Sequence, residues 1–233
     1  MADGCNSGRF VALGLANKDA AHVCLFVNAI RSAAPIKQRI NNFGTSYTTV
    51  TICSVAMCAD LAKHGVIKNK TPRASFPRIA VRWHHAFVRG VFDGDGCIHV
   101  KTIAGGPFPV ITLTGAPKLL GSILAWCKSM GIDRARIRKH YRSSVVKILL
   151  ITSNAAAVKF RDAIYKDADV CLERKRVLLY GLKEVAPRCC KACGKEFQPR
   201  YRTKGRYCSS KCYHEVYYAK NRDVKWKRNG GWR

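Results

Sequence analysis

The stretch Phe87-Val-Arg-Gly-Val-Phe-Asp-Gly-Asp-Gly-Cys97 decides how the chain is read. Ala86, Phe87, Gly90 and Val91 recur at helical spacing, which predicts a helix with one apolar face that is very small at Gly90. The run ends in Asp93-Gly94-Asp95-Gly96. A helix C-terminus already carries about half a negative charge, so cations belong there. Two more carboxylates at that point predict a hard-cation site. For these four residues alone a surface turn is the plainer reading, because Asp and Gly both favour turns. An EF-hand loop is excluded, since no acid stands at the twelfth position counted from Asp93. Gly96 is expected to be the left-handed residue that ends the helix, and Gly90 to admit a close partner backbone.

A second, shorter copy favours the cation site. The chain opens Met1-Ala-Asp-Gly-Cys5, and Asp-Gly-Cys returns at Asp95-Gly96-Cys97. On these residues the chain resembles the LAGLIDADG homing endonucleases: Val88-Arg-Gly-Val-Phe-Asp-Gly-Asp-Gly96 fits the closing Gly-x-x-Asp-x-Asp-Gly of their motif, and Met1-Ala-Asp-Gly4 the last four positions of a first copy. The likeness runs over about residues 1–183. It implies two motif helices side by side at the centre of a pseudo-twofold fold, each delivering its last acid to Mg2+. Those acids are Asp95 and Asp3. Met1-Ala2 cannot form a helix, so the expectation is a start upstream of Met1 or a protein lacking one central helix. The resemblance also implies a lysine near each acid. Lys70, in Gly65-Val-Ile-Lys-Asn-Lys-Thr-Pro72, and Lys175, in Leu172-Glu-Arg-Lys175, occupy those places; an ordinary phosphate contact is the alternative for both.

Composition points the same way. The 233 residues carry 42 basic and 14 acidic side chains, a formal charge of +28. Such an excess calls for a polyanion, here double-stranded DNA rather than an anionic membrane. The longest apolar stretch, near Val23–Ile30, is too short to span a bilayer, and no signal peptide is visible. A reducing interior is therefore expected, with Cys5, Cys24, Cys53, Cys58, Cys97, Cys127, Cys171 and Cys189 as small core residues.

Periodicity gives two similar halves. The first reads hairpin Cys5–Ala16, helix Ala20–Ile30, strands Ile36–Ile40 and Tyr47–Cys53, and helix Val55–Lys63. The second reads strands Cys97–Ile103 and Val110–Thr114, helix Pro117–Met130, strands Ala135–Tyr141 and Val145–Ile151, and helices Asn154–Tyr165 and Leu172–Leu182. The expected class is α+β: two pseudo-symmetric αββαββα halves with antiparallel, saddle-shaped sheets, helices on one face and polar side chains on the other. Arg39, Thr49, Arg136, Arg138, His140, Arg142 and Lys147 are the candidate DNA contacts, against the alternative of a merely solvated face. Two-stranded ribbons fit the major groove, where arginine can read guanine.

Near the C-terminus Cys190-Lys-Ala-Cys193, fourteen residues, and Cys208-Ser-Ser-Lys-Cys212 form a four-thiolate pattern suited to tetrahedral Zn2+. Cys189 competes with Cys190 for the first position, and His214 is a further candidate. Arg200, Arg202, Lys204 and Arg206 surround the cluster as phosphate contacts, followed by a basic tail that is either a DNA arm or a solvated end. The expected modules are residues 1–81, 82–184, a zinc finger at 189–216 and the tail 217–233.

The resemblance implies a site-specific DNA endonuclease. Such a protein hydrolyses both strands of a long duplex target with Mg2+ and serves a mobile element or phage inside a host cell (cytoplasm or nucleoid), as a monomer with internal pseudo-twofold symmetry. The alternative is an inactive DNA- or RNA-binding regulator or intron maturase on the same scaffold.

Overall fold

Two antiparallel sheets of the same strand order organise residues 4–182. The computed structural model describes residues 4–68, 73–103, 106–182, 187–197 and 205–228. The first half runs β1 (Gly4–Asn6), β2 (Phe10–Ala16), α1 (Ala20–Ala29), β3 (Ile36–Ile40), β4 (Ser46–Cys53) and α2 (Val55–Lys63). The second begins with α3 (His84–Asp95) and continues β5 (Gly96–Ile103), β6 (Gly106–Gly115), α4 (Pro117–Ser129), β7 (Ala135–Lys139), β8 (Lys147–Ile151), α5 (Asn154–Tyr165) and α6 (Glu173–Tyr180). The sheets are β1-β2-β4-β3 and β5-β6-β8-β7.

The repeat holds to the residue. Gly4 pairs with Leu13, Leu13 with Val50 and Val50 with Ile36; correspondingly Gly96 pairs with Leu113, Leu113 with Leu149 and Leu149 with Ile137. Helix boundaries follow local chemistry. Ser54 Oγ accepts from Met57 N and Ser153 Oγ from Ala156 N, both at 3.1 Å, so α2 and α5, which follow the last strand of their sheets, each carry a serine N-cap. Pro117 opens α4, where its missing N–H leaves nothing unsatisfied. Helices α1, α2, α4 and α5 are followed by Arg31, Gly65, Gly131 and Asp167, all at positive φ.

Burial is unequal. In the second half α3, α4 and α5 bury a large core that includes Phe92, Leu120, Ile123, Phe160 and Ile164. In the first half the buried cluster is Val23, Val27 and Val50. Three of the eight scattered cysteines are buried: Cys58, Cys127 and Cys171. Cys5, Cys24, Cys53, Cys97 and Cys189 are exposed, which corrects the reading of all eight as core residues. Strand parity explains three of these, since Cys5 pairs with Ala12, Cys53 with Phe10 and Cys97 with Thr112 on the faces away from the helices.

The third unit pairs β9 (Arg188–Cys189) with β10 (Glu196–Phe197) and continues into α7 (Ser210–Arg228). The helix crosses the expected boundary at 216/217, so finger and tail share one element through Arg228.

The smaller first core should open more easily. In native-state hydrogen exchange the Val50 amide is expected to exchange at least about tenfold faster than that of Leu149, its counterpart in the other sheet. Equal protection would show that the two halves unfold together.

Candidate nucleic-acid interface and metal centres

Negative charge gathers at the end of α3, and the chain supplies its own cation there. Lys175 on α6 is 3% exposed. Its ammonium donates to the carbonyls of Phe92 (2.8 Å), Asp93 (2.7 Å) and Gly96 (2.5 Å). It also lies 5.3 Å from the centre of the Phe92 ring. Three carbonyls at a helix C-terminus are the acceptors that end leaves open, and a positive charge is what its dipole favours. This geometry makes Lys175 a brace for the helix end that carries Asp95, bonded to backbone on either side of that acid.

The two acids of the motif part ways. Asp93 is 6% exposed and accepts from Tyr165 Oη at 2.5 Å and from Leu172 N at 3.0 Å. Burial, and then the Asp93 charge, push the Tyr165 hydroxyl far up, so it stays a donor. Asp93 is therefore a structural carboxylate. Asp95 is exposed at the last residue of α3. It lines a cavity of about 200 Å3 with His64, Ser75, Phe87 and Thr114. That cavity is walled by residues on both sides of the segment containing Lys70, which itself lies outside the described residues, as does Asp3. His64 was not legible as a neighbour of Asp95, because nothing in sequence brings the end of α2 to the end of α3.

Gly96 is not left-handed: its φ is −82°. It is required for another reason. A Cβ there would overlap the Phe92 ring and the Phe92 carbonyl oxygen that Lys175 holds. Gly90 has open space where a Cβ would stand. It faces a cavity of about 280 Å3 bounded by Leu13, Leu15 and Phe26 of the first half and by Ala86, Gly90 and Gly94 of α3.

One short peptide joins these parts. Leu172 N holds Asp93, Lys175 holds the α3 end, and the residues around them reach the other half. Arg174 forms a two-pronged ion pair with Asp19, at 2.7 and 3.0 Å, and His22 Nδ1 lies 3.1 Å from the Cys171 carbonyl oxygen. Asp19 is 8% exposed, so this pair is shielded better than a surface pair.

Strand parity sorts the candidate nucleic-acid contacts. Arg39 pairs with Tyr47 and Lys37 with Thr49, on the face of the first sheet away from α1 and α2. Arg136 and Arg138 lie on the matching face of the second, opposite Leu150 and Ile148. Lys147 does not join them: it shares parity with the buried Leu149 and Ile151, as Thr48 shares it with Val50. His140 and Arg142 follow β7, where the His140 and Tyr141 rings stack at 4.9 Å and the Arg142 guanidinium lies 5.0 Å from the Tyr141 ring. Lys37, His99 and Lys101 belong to the outer faces as well; a period-two reading of β3 and β5 could have found them.

The second centre is assembled from four thiols. The Sγ atoms of Cys190, Cys193, Cys208 and Cys212 all lie within 4.8 Å of one another, with Cys193–Cys208 and Cys208–Cys212 at 3.6 Å. Tetrahedral Zn2+ with Zn–S bonds of about 2.3 Å asks for sulfur separations of about 3.8 Å, so the set fits. Burial acts to raise the Cys190 thiol, but the N–H groups of Cys208, Cys193 and Ala192 outweigh it and bring the thiol down to about 6. Cys189 is exposed on β9 and stands apart from this set, and the His214 ring stacks on Tyr218 instead. Arg206 is exposed, whereas Arg200, Arg202 and Lys204 lie outside the described residues.

No protein-family model and no curated protein matches the chain. Among solved structures, similarity is found to the LAGLIDADG homing endonuclease I-LtrWI bound to target DNA (TM-score 0.49, 10% identity, covering 73% of this chain and 78% of that one). The meganuclease I-SmaMI bound to uncleaveable DNA gives 0.48, 12%, 69% and 75%. The LAGLIDADG homing endonuclease I-GzeII in complex with a DNA target gives 0.48, 8%, 73% and 77%. No helix among the described residues is long and apolar enough to cross a membrane.

Removing the brace leaves three carbonyls buried without their donor. Lys175→Met is expected to destabilise the chain by about 3 kcal/mol in urea unfolding, since hydrogen bonds to charged groups contribute about 1.5–3 kcal/mol. A loss below about 0.5 kcal/mol would assign the lysine to another task.

Proposed function

We propose that the chain is a DNA endonuclease of the LAGLIDADG homing type that hydrolyses both strands of a long duplex, with Asp95 as a metal-binding carboxylate. The observation that carries this reading is the split between the two acids of α3. Asp93 is buried and bonded to Tyr165 and Leu172, while Asp95 is solvent-exposed at a cavity lined from both halves. A carboxylate placed there suits Mg2+, which takes few protein oxygens and keeps water and phosphate oxygens as its other partners. When bound, such an ion supplies an activated water and stabilises the leaving oxygen.

The chain's own groups do the rest. Asp95 holds the ion, and α3, braced by Lys175, fixes where that carboxylate stands. The outer faces of both sheets, with Lys37, Arg39, Thr49, Arg136, Arg138 and the nearby Arg142, take the duplex on either side. Asp3 is the second acid of the proposal. It precedes Gly4 as Asp95 precedes Gly96, and those two glycines hold the same place in their sheets. Lys70 is the candidate for stabilising charge at the scissile phosphate, on the strength of the cavity walls that flank its segment. The four-cysteine module binds Zn2+ and holds further basic residues, Arg200, Arg202, Lys204 and Arg206, against the backbone. We further propose that the protein acts as a monomer, inside a cell, in the service of a mobile element.

Duplexes selected by the full chain from a randomised library provide the test. The expected outcome is double-strand cleavage with Mg2+ and none with EDTA. Asp95→Asn should lower cleavage by at least about 100-fold while changing duplex affinity less than about threefold, as expected for a group that acts on the reaction rather than on binding. Tight binding without cleavage by the unmodified chain would make it an inactive DNA-binding protein on the same scaffold.

A further inference from the structure

The aromatic surface of α7 has no part in the cleavage scheme. Tyr213, Tyr217 and Tyr218 are 37%, 46% and 55% exposed. Their spacing places rings one turn apart, so Tyr213 stacks with Tyr217 (5.9 Å, 25°) and His214 with Tyr218 (5.8 Å, 22°). Tyr207 meets Tyr213 edge to face at 5.8 Å, and Tyr217 meets Tyr218 the same way at 5.7 Å. The result is a continuous patch of aromatic rings in solvent, and exposed apolar patches of that kind mark binding surfaces.

Charge identifies the partner. Residues 187–233 hold fourteen Lys and Arg against three Asp and Glu. Arg206, Lys211 and Lys220, on the same stretch of chain as the rings, are exposed. A protein partner presenting an apolar face would gain nothing from that excess, whereas a nucleic acid offers phosphates for the cations and base faces for the rings. Paired bases keep their faces stacked on one another; unpaired bases do not. Cys212 sits in the first turn of α7 among the four thiols, so the module fixes where the helix starts.

We propose that this face of α7 is a stacking platform for an unpaired nucleic-acid strand, distinct from the duplex-reading sheets. It rests on the preceding reading only in taking nucleic acid as the partner; a chain unable to cleave would still show it.

Fluorescence anisotropy with the full chain tests this, using a labelled 20-nucleotide oligo(dT), an oligo(U) of equal length and a 20-base-pair duplex of random sequence. Tyr217→Ala with Tyr218→Ala is expected to weaken oligomer binding by about 10- to 100-fold and duplex binding by less than about twofold. Tyr217→Phe with Tyr218→Phe should bind as the unmodified chain does, because the ring remains. Binding of both oligomers alike, or a preference for one, supports the platform and tells whether the strand is DNA or RNA. Equal losses on oligomer and duplex, no loss in the alanine pair, or a loss in the phenylalanine pair as large as in the alanine pair would overturn it. Should the alanine pair misfold, as seen from circular dichroism or zinc content, cross-linking settles the matter in the unmodified chain. An oligomer carrying 5-iododeoxyuridine should attach to residues of α7 on irradiation; attachment confined to the sheets would overturn the proposal.

Discussion

The ammonium of Lys175 at the end of α3 is the interaction on which the rest of the structure depends. Helix-end carbonyls, Asp93 and Asp95 put negative charge in one small volume, and a cation buried among those carbonyls offsets it. With Lys175 in place, Asp93 can be buried against Tyr165 and the α6 entry, and the chain can turn at Gly96 straight into β5. The position of Asp95 follows from that packing. Its side chain is exposed at the cavity whereas that of Asp93 is buried, which is why one acid of the motif is structural and the other is proposed for chemistry.

The two halves share a register but not a core. The second sheet is covered by three helices, and the first leaves Leu13, Leu15 and Phe26 along a cavity that faces Gly90 of α3. Cohesion between the halves comes in part from polar contacts that start on the α6 entry peptide, with Arg174 on Asp19 and the Cys171 carbonyl near His22. The same peptide braces α3, so the placement of Asp95 and the junction of the halves are mechanically linked.

Much of this was legible in the sequence because hydrophobic period and turn chemistry agree. The expected Ile36–Ile40, Val55–Lys63 and Asn154–Tyr165 match β3, α2 and α5 residue for residue. The four-cysteine set was legible for a different reason: thiolate spacing constrains geometry directly. What was not legible depends on contacts between distant segments. A lysine 82 residues after Asp93 carries no local sign that it will meet that residue's carbonyl. The buried and exposed acids of Asp-Gly-Asp-Gly look alike in sequence, and only the approach of Tyr165 and Leu172 separates them. Lys147 shares period-two parity with Leu149 and Ile151, and its pairing with Lys139 and Gly115 fixes the face on which it lies.

The central claim is that a divalent ion binds at the exposed carboxylate that ends α3. Paramagnetic broadening by Mn2+, read from the backbone amide resonances of the protein bound to a selected duplex, measures this most directly. The account predicts broadening centred on Gly96 and Cys97 that disappears in Asp95→Asn. Broadening centred elsewhere, or unchanged by that substitution, would contradict it.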